Sequence, residues 1–239
     1  MRIRTLALLI GGAVTALLGT TGPAAFAAEP AQAQPAIIGG QNASSGPWAA
    51  RLFVNGQQNC TATIIAPQYI LTAKHCVSGS GTYTFRIGSL DQSSGGTTAT
   101  GSTITRYPGA ADLAIVRLTS SVNATYSPLG TSGNVAVGQT AQVYGWGATS
   151  QCGSEINCQS RYLKYANVRV NSVNCSDYTG GVAVCANRID GITAGGDSGG
   201  PMFASGRQVG VASTSDRSNN TAYTNITVYR SWIKQVAGV

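Results

Sequence analysis

The chain reads as an all-β protein, a sandwich or a barrel, closed by one short C-terminal helix. Three observations predict it. Helical periodicity is nearly absent after Ile37, and short β-branched runs recur between clusters of Gly, Ser, Asn and Pro. The last segment, "YRSWIKQVAGV", alone puts Trp232, Ile233 and Val236 on one helical face.

Taken in chain order, the first residues lie outside this pattern. Met1 to Arg4 is a basic start, Leu6 to Leu18 an apolar stretch, and Ala25-Phe26-Ala27 a small-x-small cleavage signal. A signal peptide over 1–27 and export to the extracellular space are expected. The glycine-broken apolar stretch is too short to favour a membrane anchor. Residues 28–36, "AEPAQAQPA", are polar and aperiodic and read as a short propeptide.

From Ile37 onward about 200 residues remain, enough for one compact unit or two small packed barrels. Strand-like runs follow: "RLFVNG", "ATIIAPQYILTA", "TYTFRIGS" and "DLAIVRLT", then "AQVYGWG", "LKYANVRV", "QVGVAS" and "AYTNITVY". The Gly- and Ser-rich stretch 127–138, "SPLGTSGNVAVG", is the candidate boundary between halves 37–130 and 131–239.

The net charge is +7, from 15 basic and 8 acidic residues. Basic residues are scattered singly, without interleaved aromatics, so nucleic-acid binding is not expected. Six cysteines, an even number in an exported chain, point to disulfides. Their spacing suggests Cys60–Cys76, Cys152–Cys158 and Cys175–Cys185, although six cysteines allow fifteen connectivities. With one histidine and no paired CxxC, a zinc site is not expected.

That single histidine, His75, ends an apolar strand beside Cys76. Downstream, Ser198 sits in the glycine-rich "GITAGGDSGGP". A serine hydroxyl is a poor nucleophile until a base takes its proton, and histidine is the side chain suited to that near neutrality. A carboxylate must then hold the other imidazole nitrogen. Asp112 is the candidate, because it opens an apolar run where an unpartnered charge is costly. Asp91, Glu155, Asp177, Asp190 and Asp216 occupy polar, loop-like contexts.

"IIGG" at 37–40, "LTAKHC" at 71–76, "DLAIV" at 112–116, "GWG" at 145–147 and "GDSGGP" at 196–201 come in one order. Together they make the chain resemble the secreted bacterial members of the chymotrypsin/trypsin-like serine peptidase family, over nearly all of 37–239. The resemblance implies two packed antiparallel β-barrels with the active site between them. It implies a serine endopeptidase with the triad His75, Asp112 and Ser198. The N–H groups of Gly196 and Ser198 would form the oxyanion hole. Asp197 would pair with the α-ammonium of Ile37 after cleavage of Ala36–Ile37; the alternative is a turn residue bonding its own loop.

By the same resemblance Ile192 would be the floor of the specificity pocket, with Ser213, Ser215 and Thr221 along its walls. A narrow apolar pocket for small or medium aliphatic residues follows, and Ala36 at the processing site would fit it. The family often carries a cysteine at the position of Ala194, and without that anchor Asp190 is an alternative floor giving Arg/Lys preference. Lys74 stands where the family often has alanine, and "GSLDQSSGG" lacks the acids for calcium. No cofactor, metal, nucleic acid or membrane partner is expected. Protein or peptide substrates, proteinaceous inhibitors and a monomeric state are. The rival readings are a catalytically inert binding homologue and an esterase using the same triad.

Overall fold

The computed structural model describes residues 37–239. The expected signal peptide and propeptide lie outside them. The strands are β1 (Gln41–Asn42), β2 (Ala49–Val54), β3 (Gln57–Ala66), β4 (Tyr69–Thr72), β5 (Tyr83–Ile87), β6 (Thr97–Arg106) and β7 (Ala114–Leu118). After them come β8 (Thr140–Gly145), β9 (Lys164–Ser176), β10 (Val182–Arg188), β11 (Pro201–Ala204), β12 (Arg207–Ser215) and β13 (Asn220–Asn225). One helix, α1 (Arg230–Ala237), ends the chain.

The first six strands after β1 close a barrel in the order β2-β3-β4-β7-β6-β5. The last six close a second, β9-β10-β13-β12-β11-β8, through β8–β9 pairing. All pairings between these strands are antiparallel. The two-barrel expectation therefore holds.

Local chemistry sets the corners. Asn55-Gly56 joins β2 to β3 with φ of 51° and 80°, and Ser205-Gly206 joins β11 to β12 with φ of 50° and 70°. Two consecutive left-handed residues match the right-handed twist of a tight hairpin. Alternating apolar residues then face inward: Leu52, Ile64, Ile70, Phe85 and Ile115 in the first barrel, and Val143, Val168, Val184 and Val209 in the second.

The chain crosses between halves at both ends. β1 pairs with β9 of the second barrel, although it precedes the first. The helix does the reverse: Ile233 and Ala237 join the first-barrel core, with Trp232 and Val236 packed against it. Gly238 stops the helix in left-handed geometry, its N–H bonded to the Lys234 carbonyl at 2.9 Å. The three disulfides are the sequential pairs that the spacing suggests.

Candidate active site

His75 follows β4 at the start of a 3-10 turn, His75–Val77, and Cys60–Cys76 pins that turn to β3. Asp112 lies just before β7 and is fully buried. Its Oδ2 lies 2.7 Å from His75 Nδ1, and its Oδ1 accepts the His75 backbone N–H at 2.9 Å. Ser213 donates its hydroxyl to the same Oδ2 at 2.6 Å. Burial pushes the Asp112 carboxyl up, but the bonds from His75 and Ser213 outweigh it and hold the group below its usual value. Both sulfurs near His75 are committed to Cys60–Cys76, so that His–Cys grouping has no thiolate for a metal.

Ser198 sits in the turn before β11. Gly196 has φ of 102°, and a Cβ there would meet Gln159 Nε2 at 2.5 Å and Gly147 Cα at 2.9 Å. Only glycine fits that conformation and space. Among the described residues, the N–H groups of Gly196 and Ser198 donate to no protein acceptor. Their neighbouring carbonyls are all occupied: Gly195 by Ala148 N–H at 2.8 Å, Gly196 by the Thr61 hydroxyl at 2.8 Å, and Ser198 by Thr61 N–H at 2.9 Å.

Asp197 points inward and is fully buried. Its carboxylate accepts Gly147 N–H at 2.7 Å and Ala194 N–H at 2.9 Å. A Cβ on either Gly145 or Gly147 would overlap that carboxylate, which gives "GWG" its physical reason. Desolvation raises the Asp197 pKa to about 7, against the lowering effect of the two N–H bonds and of Arg51.

A cavity of about 330 Å³ opens beside Ser198 and His75. Ser213 and Ser215 line it, with Thr193, Ala194, Thr214, Tyr178 and Arg217. Ile192 does not: it is fully buried, bridges to Ile38 and donates its N–H to the Ile38 carbonyl at 3.0 Å. Of the residues near the floor expected at Ile192, the cavity is lined by the next two, Thr193 and Ala194. Thr221 lies behind the wall, its hydroxyl 2.6 Å from that of Thr193. Asp190 is also off the cavity, accepting from Asn167 N–H at 2.7 Å and Asn167 Nδ2 at 2.6 Å. Those bonds hold Asp190, the alternative floor, against β9.

The family model described as Trypsin matches residues 37–233. The chain belongs to the trypsin family. It is 32% identical to Trypsin alpha of Drosophila melanogaster over 233 residues, covering 84% of this chain and 87% of that protein. Trypsin alpha-4 of Lucilia cuprina is 30% identical over 223 residues, with coverage of 84% and 87%. Among solved structures, human heparin binding protein is 25% identical with TM-score 0.71, covering 84% of this chain and 96% of that one. Neuropsin, a serine protease of mouse brain, is 26% identical with TM-score 0.70 and coverage of 83% and 99%. As a member of this family, with trypsins as relatives, the protein is a serine endopeptidase that hydrolyses peptide bonds. These curated relatives are insect proteins, so the bacterial membership implied by the resemblance has no support among them.

Several residues around this trypsin-family site were not singled out for a role by sequence reasoning. Asp177, on the loop between β9 and β10, accepts Asp112 N–H at 2.9 Å, the Thr224 hydroxyl at 2.8 Å and Gly181 N–H at 2.8 Å. Tyr178 stands edge-on to the His75 ring, centroids 6.3 Å apart, and is 70% exposed. Lys74, beside His75, donates its ammonium to the carbonyls of Gly109 at 2.8 Å and Tyr107 at 3.5 Å. Arg217 forms a two-pronged pair with Glu155, both contacts 3.0 Å, while Glu155 also accepts Gly195 N–H at 2.7 Å. In the sequence only the disulfide ring Cys152–Cys158, which carries Glu155, marked this region.

Proposed function

We propose that Ser198 is the nucleophile of acyl transfer, with His75 as its base and Asp112 as the group that orients the imidazole. The 2.7 Å contact between His75 Nδ1 and Asp112 carries this reading. With Nδ1–H donated to the carboxylate, Nε2 is the basic nitrogen that takes the Ser198 proton. Ser198 Oγ then bonds to the scissile carbonyl carbon, and the carbonyl oxygen becomes an oxyanion. The N–H groups of Gly196 and Ser198, without protein acceptors, receive that charge. His75 returns the proton to the leaving amine as the C–N bond breaks, and water repeats the sequence on the acyl-enzyme.

The substrate residue before the scissile bond is small or medium and apolar. The Thr193–Thr221 hydroxyl contact and the Ser215 side chain narrow the cavity. Among the described residues no carboxylate lines it to attract Lys or Arg side chains. Activation follows cleavage before Ile37. Asp197 makes no ion pair among the described residues, and Ile37 is fully buried beside the second-barrel core. A new α-ammonium at Ile37 would supply the missing counter-charge. This reading keeps 1–27 as signal peptide, 28–36 as propeptide, the halves 37–130 and 131–239 as the two barrel-bearing segments, and secretion as a monomer, with protein inhibitors as partners.

A panel of peptide anilides varied at the cut residue, assayed with protein beginning at Ile37 and with Ser198→Ala, tests it. Cleavage after Ala, Val or Leu that vanishes in Ser198→Ala is the expected result. Cleavage after Arg or Lys would overturn the pocket and leave the triad. Cleavage of esters alone would favour the esterase, and no turnover at all would favour the inert binding homologue.

A further inference from the structure

Arg51 is a fully buried cation in β2, in the first barrel. Nothing in the proposed chemistry uses it. Its Nε donates to Gln92 Oε1 at 2.8 Å, and Nη1 to the carbonyls of Cys60 at 3.2 Å and Gly196 at 3.3 Å. Its Nη2 donates to Gln159 Oε1. No carboxylate forms an ion pair with it among the described residues. Burying a guanidinium against carbonyls and amides costs more than an apolar side chain of similar volume. Burial indeed pulls Arg51 down to about 9, with the charge of Asp197 opposing that fall.

The acceptors explain the expense. Gln159, held through its Oε1 by Arg51, donates Nε2 to the Gly195 carbonyl at 3.2 Å. The peptide between Gly195 and Gly196 is planar and trans, so its C=O and its N–H point in opposite directions. Holding the Gly195 carbonyl between Gln159 and Ala148 N–H therefore aims the Gly196 N–H the other way, where it meets no protein acceptor among the described residues. The next peptide is clamped as well, since its Gly196 carbonyl accepts from Arg51 and Thr61. Gly196 lacks a Cβ and sits at φ of 102°, so its own sterics do little to resist a peptide flip.

We propose that Arg51 is a positioning residue for the oxyanion turn, reaching from the first barrel to lock the peptides on both sides of Gly196. This rests on the reading of Gly196 N–H as an oxyanion donor. A planar fork with five donors can serve four acceptors at once, which lysine cannot do.

The test uses protein with a free Ile37, carrying Arg51→Met, Arg51→Lys or Gln159→Leu, against an Ala-directed peptide anilide. Values of kcat are normalised to the folded fraction from circular dichroism melts. In Arg51→Met, kcat falls roughly 10²–10³-fold, as for loss of one oxyanion donor, while KM stays within about threefold. Gln159→Leu gives the same pattern, and Arg51→Lys falls about tenfold because charge remains but the fork is lost. Unchanged kcat per folded molecule in Arg51→Lys and Gln159→Leu, or a change confined to KM, overturns the proposal. If Arg51→Met does not fold, the other two variants decide by the same criterion. Inactive wild type would instead sink the peptidase reading.

Discussion

Ser213 and Asp112, 101 positions apart, meet at 2.6 Å between the serine hydroxyl and the carboxylate oxygen that also holds His75. One oxygen thus ties β12 of the second barrel to the histidine of the first. Asp112→Asn reverses the hydrogen-bond sense at Nδ1 and disfavours the required tautomer. Its kcat falls on the order of 10⁴-fold with little change in KM. Ser213→Ala removes a bond to a charged group, worth about 1.5–3 kcal/mol, and lowers the melting temperature. Steady-state kinetics and thermal melts of the two variants check this; equal kcat in Asp112→Asn and wild type would refute the triad.

Asp177 supports Asp112 by accepting its backbone N–H at 2.9 Å. In Asp177→Ala the N–H groups of Asp112 and Gly181 and the Thr224 hydroxyl lose their acceptor. Each buried orphan costs about 1–3 kcal/mol, so a loss near 3 kcal/mol is expected from urea unfolding. A stability equal to wild type would show that water replaces the carboxylate.

The proposed narrow pocket depends on Thr193, Thr221 and Ser215. Ser215→Gly combined with Thr221→Gly removes two side chains from the wall and its backing. Relative kcat/KM for Phe over Ala at the cut residue rises at least about tenfold, since one or two methylenes in such a pocket are worth roughly 1–3 kcal/mol. A panel of anilides reads the ratio directly, and an unchanged ratio would place the selective wall elsewhere.

The uncleaved protein carries a pH-dependent penalty at Asp197. Its folded pKa, raised to about 7 by desolvation, lies above the unfolded value. The folded state therefore retains a proton that the unfolded state releases, and stability falls as pH rises from about 4 to about 7, by at most about 1.4 kcal/mol per unit. Arg51, Glu155, Arg217 and Tyr223 are the charged or titratable groups that act on it or feel it. With Ile37 free, its ammonium keeps the carboxylate ionised and that fall disappears. Melts of Ser198→Ala protein between pH 4 and 8, uncleaved and cleaved, compare the two slopes; identical slopes would remove the Ile37–Asp197 pair.

His75 and Asp112, which meet at 2.7 Å, and Ser198, which lines the same cavity as His75, could be picked from the sequence because each sits inside a contiguous motif. Glycines 145, 147 and 196 were legible for the same reason, and the structure shows the carboxylate and the turn they make room for. The lining of the cavity could not be read from local patterns. Its wall combines Thr193, Tyr178 and Arg217 from separate loops, and Ile192 turns inward through a bridge to Ile38 that no local pattern announces. Strand β6, "TTATGSTITR", escaped because both its neighbours are strands while its side chains are mostly exposed, leaving no apolar alternation. Arg51 lies in "AARLFV", where a charge signals solvent; only the arrival of the oxyanion turn from the other barrel buries it.

None of the three disulfides links one barrel to the other: Cys60–Cys76 closes within the first, and Cys152–Cys158 and Cys175–Cys185 within the second. The exchanged ends, β1 on the second barrel and α1 on the first, act instead like the swapped arms of a dimer made from one chain. A nick in the 127–138 connector would leave two fragments held together by non-covalent contacts alone: those arms, the cleft, and the Asp91–Arg161 pair with the apolar cluster around Trp146. Peptidase activity of the nicked protein would then depend on dilution, as it does for an enzyme assembled from two subunits.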